Sequence, residues 1–220
     1  MKITFEQIRK NQDIKTYITK ADESLKALGY TEHSFAHVGK VSEDAAYILT
    51  TLGYDERTVE LARIAGYLHD IGNLVNRVDH SQSGAVMAFR ILDKMGMEAE
   101  EIATVVTAIG NHDEGTGVPV NPVAAALIMA DKSDVRRTRV RNSEPNTFDI
   151  HDRVNYSVER SELSISSDKK QAVLDLTIDS GISSVMEYFQ IFIGRMQMSK
   201  LAAASLGLEF SLVINGQKLL

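Results

Sequence analysis

The chain has no cysteine among its 220 residues. Disulfides and thiolate-bound metals are therefore excluded, and any metal must be held by imidazole and carboxylate. Long apolar runs are missing too. No stretch approaches the roughly 18 residues that a membrane-spanning helix needs. The opening residues Met1 to Gln7 lack the apolar core of a signal peptide. The expected compartment is the cytoplasm, whose reducing conditions suit a chain without cysteine. Positive charge is also short, with 24 Lys and Arg against 30 Asp and Glu and a net charge of −6. That balance argues against a general nucleic-acid or anionic-membrane surface. An anionic ligand would have to be drawn in locally, by a metal and a few basic side chains. No internal repeat or low-complexity tract is visible.

What is present is ordinary for a globular protein: 44% hydrophobic and 25% charged residues. The length fits one large domain, or one domain with an appendage. Apolar spacing predicts a helix over 4–28. A second is capped by Thr31, with Phe35, Val38, Val41, Ala45, Ile48, Leu49 and Leu52 on one face and Gly53 as its stop. A third, buried helix spans 55–71, with Asp55 as N-cap and Gly72 as terminator. Further helices are expected over 83–95, stopped by Gly96, and over 98–110. A Gly- and Pro-rich loop follows, and then a helix opened by Asn121-Pro122 and running to about Arg139. Residues 142–146 are the best boundary. Beyond them Val154, Tyr156 and Val158 alternate, as do Leu163 and Ile165, and Ala172 through Ile178, across a turn at 167–170. Ser180 is expected to cap a long helix ending at Gly207, before a last strand at Phe210, Leu212 and Ile214. The fold expected is mainly α: an all-helical domain over 1–145, followed by a small α+β extension over 146–220. Met186, Met196 and Met198 on the long helix suit core or dimer packing, so a homodimer is one use of that helix.

The chemistry lies in the histidines. His69-Asp70 ends the apolar segment Leu61 to Gly72, where an ionised carboxylate needs a partner or a metal. By itself the pair also suits a hydrogen-bonded polar helix end. His37 lies upstream, His80 and His112 lie downstream, and Asp131 ends a second apolar run, Val123 to Asp131. Imidazole with carboxylate is the ligand set of iron, manganese, zinc or nickel rather than of calcium.

This order resembles that of the HD-domain metal-dependent phosphohydrolases. His37, His69-Asp70 and Asp131 match the core signature, while His80 and His112 match the additional histidines of subfamilies that hold two metals. The flanking words also resemble those of bacterial HD hydrolases that cleave diadenosine tetraphosphate: His69-Asp70-Ile71-Gly72, His80 followed by Gly84-Ala85, Ala108-Ile109-Gly110-Asn111-His112, and Ala130-Asp131 followed by Arg136. The resemblance covers residues 31–141. It implies an all-helical domain and hydrolysis of a phosphoester or phosphoanhydride, with a nucleotide as the substrate class. It also implies one or two divalent transition metal ions, iron or manganese by preference, with nickel, zinc or cobalt as alternatives. On this reading His37, His69, Asp70 and Asp131 hold the first ion. Asp70 bridges to a second ion completed by His80 and His112. Lys40, Arg77 or Arg136 neutralises phosphate charge. The chain departs from the cyclic-di-GMP-cleaving type, with Asn73 where that type has lysine and His112-Asp113-Glu114 where it has His-His-Glu. Lys40 stands where arginine is usual, which keeps the charge and loses the planar fork. Two other readings share the pattern: a di-iron oxygenase of the same fold, and a ligand-binding module without catalysis.

Other residues divide between site and surface. His33 is one turn before His37 and is expected to support a ligand or face the substrate. Asp134 is either a site carboxylate or a solvated charge. Arg136, Arg137, Arg139 and Arg141 could form a solvated stripe, with one of the first two reaching a phosphate. The second pair, His151-Asp152, sits in a polar segment and is expected at the surface, away from any metal.

Overall fold

The computed structural model describes residues 2–220. Helices α1 (Phe5–Lys10), α2 (Gln12–Ala27), α3 (Phe35–Leu52), α4 (Glu56–Leu68), α5 (His80–Met95), α6 (Ala99–Gly110) and α7 (Pro122–Ser133) make up the first part of the chain. The extension contains α8 (Ile150–Ser157), β1 (Val158–Ile165), β2 (Gln171–Ile178), α9 (Val185–Ser205), β3 (Glu209–Ile214) and β4 (Gln217–Lys218). The mainly helical fold with a small α+β tail is thus as the sequence implies.

Helix α7 is the axis of the helical part. Val123 through Ala130 are all buried, because neighbours cover the helix on every side. Asn121 caps it by accepting from the Ala124 amide, with Pro122 at its first turn. Helices α3 and α4 pack closely at Gly66, where a Cβ would stand 2.7 Å from the Ser42 Cα. Asp55 caps α4 as expected, accepting from the Arg57 and Thr58 amides.

In the extension, β1 and β2 form an antiparallel hairpin, β2 pairs parallel to β3, and β3 turns back into β4. The parallel pair requires a crossover, which α9 supplies. Ala172, Leu174, Leu176 and Ile178 point to the buried face of β2. Helix α9 packs on α7, and β1 packs on α3 and α7. Residues on both sides of 142–146 therefore share one apolar core.

Several boundaries differ from the sequence reading. The first predicted helix is two helices, because Asn11 ends α1 and its side chain caps α2 by accepting from the Asp13 and Ile14 amides. Helix α3 starts after Ser34 rather than at Thr31, so His33 lies in the preceding turn. Helix α4 stops at Leu68, and Gly72 falls in a 3-10 turn over Ile71–Leu74. Helix α7 stops at Ser133, and of the arginines beyond it Arg137 and Arg139 lie in a separate 3-10 turn over Arg137–Arg139. Residues 150–157 are helical although Val154, Tyr156 and Val158 alternate. Val154 and Val158 are four apart, so their burial suits either period, and Asp149 decides by capping the Asp152 amide. The long helix is capped by Ser184 rather than Ser180, through a reciprocal pair with Glu187. Met196 and Met198 enter the core, while Met186 is exposed.

Candidate metal centre and cleft

Five separate elements deliver the site. His37 sits in the first turn of α3, His69 is the C-cap of α4, and Asp70 follows it. His80 opens α5, His112 follows the end of α6, and Asp131 lies in the last turn of α7. All four histidines are buried, as is Asp70. The approach of α5 depends on Gly72, where a Cβ would lie 2.0 Å from the His80 carbonyl oxygen and 2.4 Å from the Gly84 nitrogen. No side chain fits there, so the His-Asp-Ile-Gly word is required by packing as well as by chemistry.

The rings are oriented in a common way. Nδ1 of His69 donates to the Gly66 carbonyl at 2.7 Å, Nδ1 of His80 to the Arg77 carbonyl at 3.1 Å, and Nδ1 of His112 to the Ile109 carbonyl at 2.6 Å. Nδ1 of His37 bonds the Asp134 carboxylate at 2.7 Å. A carbonyl can only accept, so the proton is fixed on Nδ1 and Nε2 is turned inward. The inward atoms converge. His37 Nε2 is 3.3 Å from His69 Nε2, 3.5 Å from Asp70 Oδ2 and 3.4 Å from Asp131 Oδ1. His80 Nε2 is 3.4 Å from Asp70 Oδ1 and 3.2 Å from His112 Nε2. The two oxygens of Asp70 thus face two different groups of ligands.

These separations are shorter than twice a metal–nitrogen bond of about 2.1 Å, as for neighbouring ligands of one ion. Three overlapping sets have the spacing to hold an ion: His37, His69 and Asp70; His69, His112 and Asp131; and Asp70, His80 and His112. The space between Asp70, His80, His112, Asp131 and the surrounding cations is a chamber of about 10 Å³, close to one water-sized sphere.

The field in the chamber calls for positive charge. Burial opposes ionisation of Asp70, yet His69 and His37 hold its carboxyl well below the usual range. Burial opposes ionisation of Asp131 likewise, and Lys132, His37 and His69 hold it low. Burial also works against a charge on His69, but Asp70 and Asp131 outweigh it and raise its pKa to about 10. Burial pushes His112 and His80 the other way, towards neutrality. The facing Nε2 atoms of His80 and His112 are then two lone pairs 3.2 Å apart, an arrangement that a cation relieves. The donor set therefore fits a divalent transition metal.

Asp134 is fully buried and belongs to the site's support. Arg136 donates from Nε to its Oδ1 at 2.9 Å, and Arg139 lies 3.7 Å from its Oδ2. Burial favours its protonated form, but His37, Arg139 and Arg136 hold it far down. Asn73 donates to Asp70 Oδ1 at 2.9 Å and so fixes that carboxylate. His33 is buried beside His37, with its ring in edge contact at 5.5 Å between centroids. Its Nδ1 is tied to the Thr31 carbonyl.

A cleft of about 280 Å³ opens onto the chamber, and His33, Arg77, Glu114, Arg139 and Arg195 line both. Of the three cations expected to meet phosphate, Arg77 is there, with Nη1 3.4 Å from His80 Nε2. Lys40 instead pairs with Asp44 at 2.5 Å, and Arg136 is consumed by Asp134, Glu32 and Thr138. Neither lines the chamber or the cleft. Lys132, Arg139 and Arg195 line the chamber instead. Lys132 is buried at the end of α7 with Nζ 2.7 Å from Asp131 Oδ2. Arg139 is buried rather than part of a solvated stripe. His151 and Asp152 stand apart from the metal-ligand sets but lie on the cleft wall with Asn155. Nothing in the local sequence marks Arg195 or Lys132. Only the crossover of α9 and the burial of α7 bring them in.

A family model described as HD domain matches residues 34–154, more than half of the chain and all six residues of the His/Asp cluster. The chain belongs to the HD domain family. It is 26% identical over 211 residues to the uncharacterized protein MJ1020 of Methanocaldococcus jannaschii, with 84% of this chain and 81% of that one covered. It is also similar to the crystal structure of a predicted HD superfamily hydrolase from an uncultured Thermotogales bacterium. That match has 28% identity and a TM-score of 0.44, and it covers 57% of this chain and 68% of the other.

Proposed function

We propose that this chain is a metal-dependent phosphohydrolase that cleaves a phosphoester or phosphoanhydride, with a nucleotide as the substrate class. The observation that carries the reading is the convergence of four inward Nε2 atoms on the carboxylates of Asp70 and Asp131. His37, His69, Asp70 and Asp131 would hold one divalent ion. His80 and His112, with the second oxygen of Asp70, would hold another. Iron or manganese suits this nitrogen and oxygen set. When bound, such ions activate water as a nucleophile near neutral pH and stabilise charge on the phosphoryl oxygens.

The chain's own residues prepare that chemistry. The Nδ1 hydrogen bonds of the four histidines fix each tautomer before any ion arrives, and Asp134 fixes His37 through a carboxylate. Arg77 points a guanidinium at the chamber, where it can pair with phosphate oxygens, and the guanidinium carbon lies 5.9 Å from the centre of the Tyr30 ring. Burial of the chamber keeps bulk water from screening these charges. The cations lining cleft and chamber, Arg77, Lys132, Arg139 and Arg195, favour an anionic substrate over oxygen chemistry on a neutral one.

The test is turnover of diadenosine tetraphosphate, nucleoside phosphates and a simple phosphodiester by protein of measured metal content. Hydrolysis, followed as the nucleotide, monoester or inorganic phosphate formed, that depends on manganese or iron and disappears in Asp70→Ala supports the proposal. Oxygen consumption without hydrolysis of any of these substrates would replace it with the oxygenase reading.

A further inference from the structure

Arg195 lies outside the segment matched to the family, on the crossover helix of the extension, yet it lines both the chamber and the cleft. Its guanidinium stacks over the Phe192 ring at 4.2 Å, which fixes its plane. Its Nε donates to Glu114 Oε1 at 3.0 Å, and its two Nη nitrogens have no acceptor among the described residues. Arg139 lines the same junction. It is only 3% exposed, and it spends Nε on the Glu32 carbonyl and Nη1 on the Asp134 carbonyl. Its Nη2 likewise has no acceptor among the described residues. Nη2 of Arg139 is open to the cleft, so the two guanidiniums turn uncommitted donors to the same junction, where an anion can replace water.

Glu114 occupies the place such an anion would take. The same Oε1 that accepts from Arg195 stands 3.4 Å from Lys132 Nζ. The loop carrying it is pinned next to the site. A Cβ at Gly117 would lie 2.3 Å from the Asn111 carbonyl oxygen and 2.3 Å from Met198 Cε on α9. The carboxylate is thus held between two cations at the cleft's inner end.

Resting on the phosphohydrolase reading, we infer that Arg195 and Arg139 form a second anion subsite, outside the metal cluster, for a phosphate that is not cleaved. The substrate is then an oligophosphate rather than a monoester, and Glu114 is the internal anion that this phosphate displaces. The extension supplies specificity through Arg195, which the family-matched segment by itself lacks. Arg195 is a specificity residue here, with no part in bond breaking.

Calorimetry on metal-loaded protein tests this with inorganic pyrophosphate and inorganic phosphate as probes, alongside metal content. The wild type is expected to bind pyrophosphate more tightly than phosphate. Arg195→Ala is expected to lose about tenfold in pyrophosphate affinity, the scale of one charge-assisted contact, with metal content unchanged. Glu114→Gln is expected to bind pyrophosphate as tightly as the wild type or more so. If Arg195 and Glu114 form only a strut holding α9 to the loop, both variants weaken binding together, and that result overturns the subsite. So does an Arg195→Ala protein that keeps the wild-type preference. Arg160→Ala, at an exposed position of β1 that lines neither cleft nor chamber and is paired with Glu162 and Asp175, serves as the control. Loss of pyrophosphate preference in a wild type that still hydrolyses monoesters rejects the subsite and spares the phosphohydrolase reading. A wild type that holds metal but hydrolyses none of these substrates and binds neither anion rejects both.

Discussion

His80 and His112 face each other through Nε2 atoms 3.2 Å apart, while both Nδ1 atoms are committed to backbone carbonyls. Two neutral imidazoles so arranged offer two lone pairs to the same point and no hydrogen between them. Asp70 Oδ1 reaches the same point, 3.4 Å from His80 Nε2. Arg77 Nη1 reaches His80 Nε2 at 3.4 Å from the cleft side, and the inward donors that remain fit a metal cation.

His80→Ala and His112→Ala are therefore expected to keep one metal ion per chain and lose the second, because His37, His69, Asp70 and Asp131 remain. Elemental analysis against protein concentration checks this. Wild-type stoichiometry in both variants would remove these histidines from the site.

Asp70 faces both groups of ligands, one through each oxygen. Asp70→Ala is expected to lose all tightly held metal and all hydrolysis. Asp152→Ala is expected to keep its full metal content, since Asp152 lies on the cleft wall, away from the ligand sets. Circular dichroism establishes that both variants are folded, and metal analysis separates them.

Arg136 acts at a distance. It holds Asp134, which holds His37 Nδ1. Loss of such a supporting contact weakens metal binding by about 10- to 100-fold. Arg136→Ala is expected to fall in that range in a metal-competition titration. Lys40→Ala, which breaks a pair with Asp44 outside the site, is expected to leave metal affinity unchanged.

Gly66 marks the tightest crossing of α3 and α4, the two helices that carry His37 and His69. A Cβ there would lie 2.7 Å from the Ser42 Cα and 2.9 Å from its nitrogen. Both are backbone atoms, which cannot swing aside. Gly66→Ala is expected to cost about 1–3 kcal/mol or more, lowering the thermal midpoint by several degrees in a chain of this size. The shift of α4 should also weaken metal binding. A variant with an unchanged midpoint would contradict the packing described.

The order of the ligands was legible because each ends or opens an element with its own signal: an apolar run before His69 and Asp131, and Asp55 and Asn121 as caps. The cations were not legible in the same way. Lys40 and Arg136 occupy positions from which a phosphate contact is natural, but Asp44, Asp134 and Glu32 claim them. Lys132 looks like an ordinary charge at a helix end. It is buried because α7 is covered on all sides, which no local pattern reveals. Arg195 enters the site only through the parallel pairing of β2 with β3, which fixes where α9 crosses. Thr31 is a good cap by type, which predicts His33 on the helix. Ser34 takes that position without making a side-chain cap bond, so composition gave no means of choosing between them.

Metal content of the wild-type chain purified without chelator tests the central claim most directly, by elemental analysis combined with titration of manganese or iron into stripped protein. Two transition metal ions per chain are expected, the first held far more tightly than the second. Protein that carries no metal and binds none on titration would contradict the assignment of His37, His69, Asp70, His80, His112 and Asp131 as ligands, and the proposed hydrolase with it.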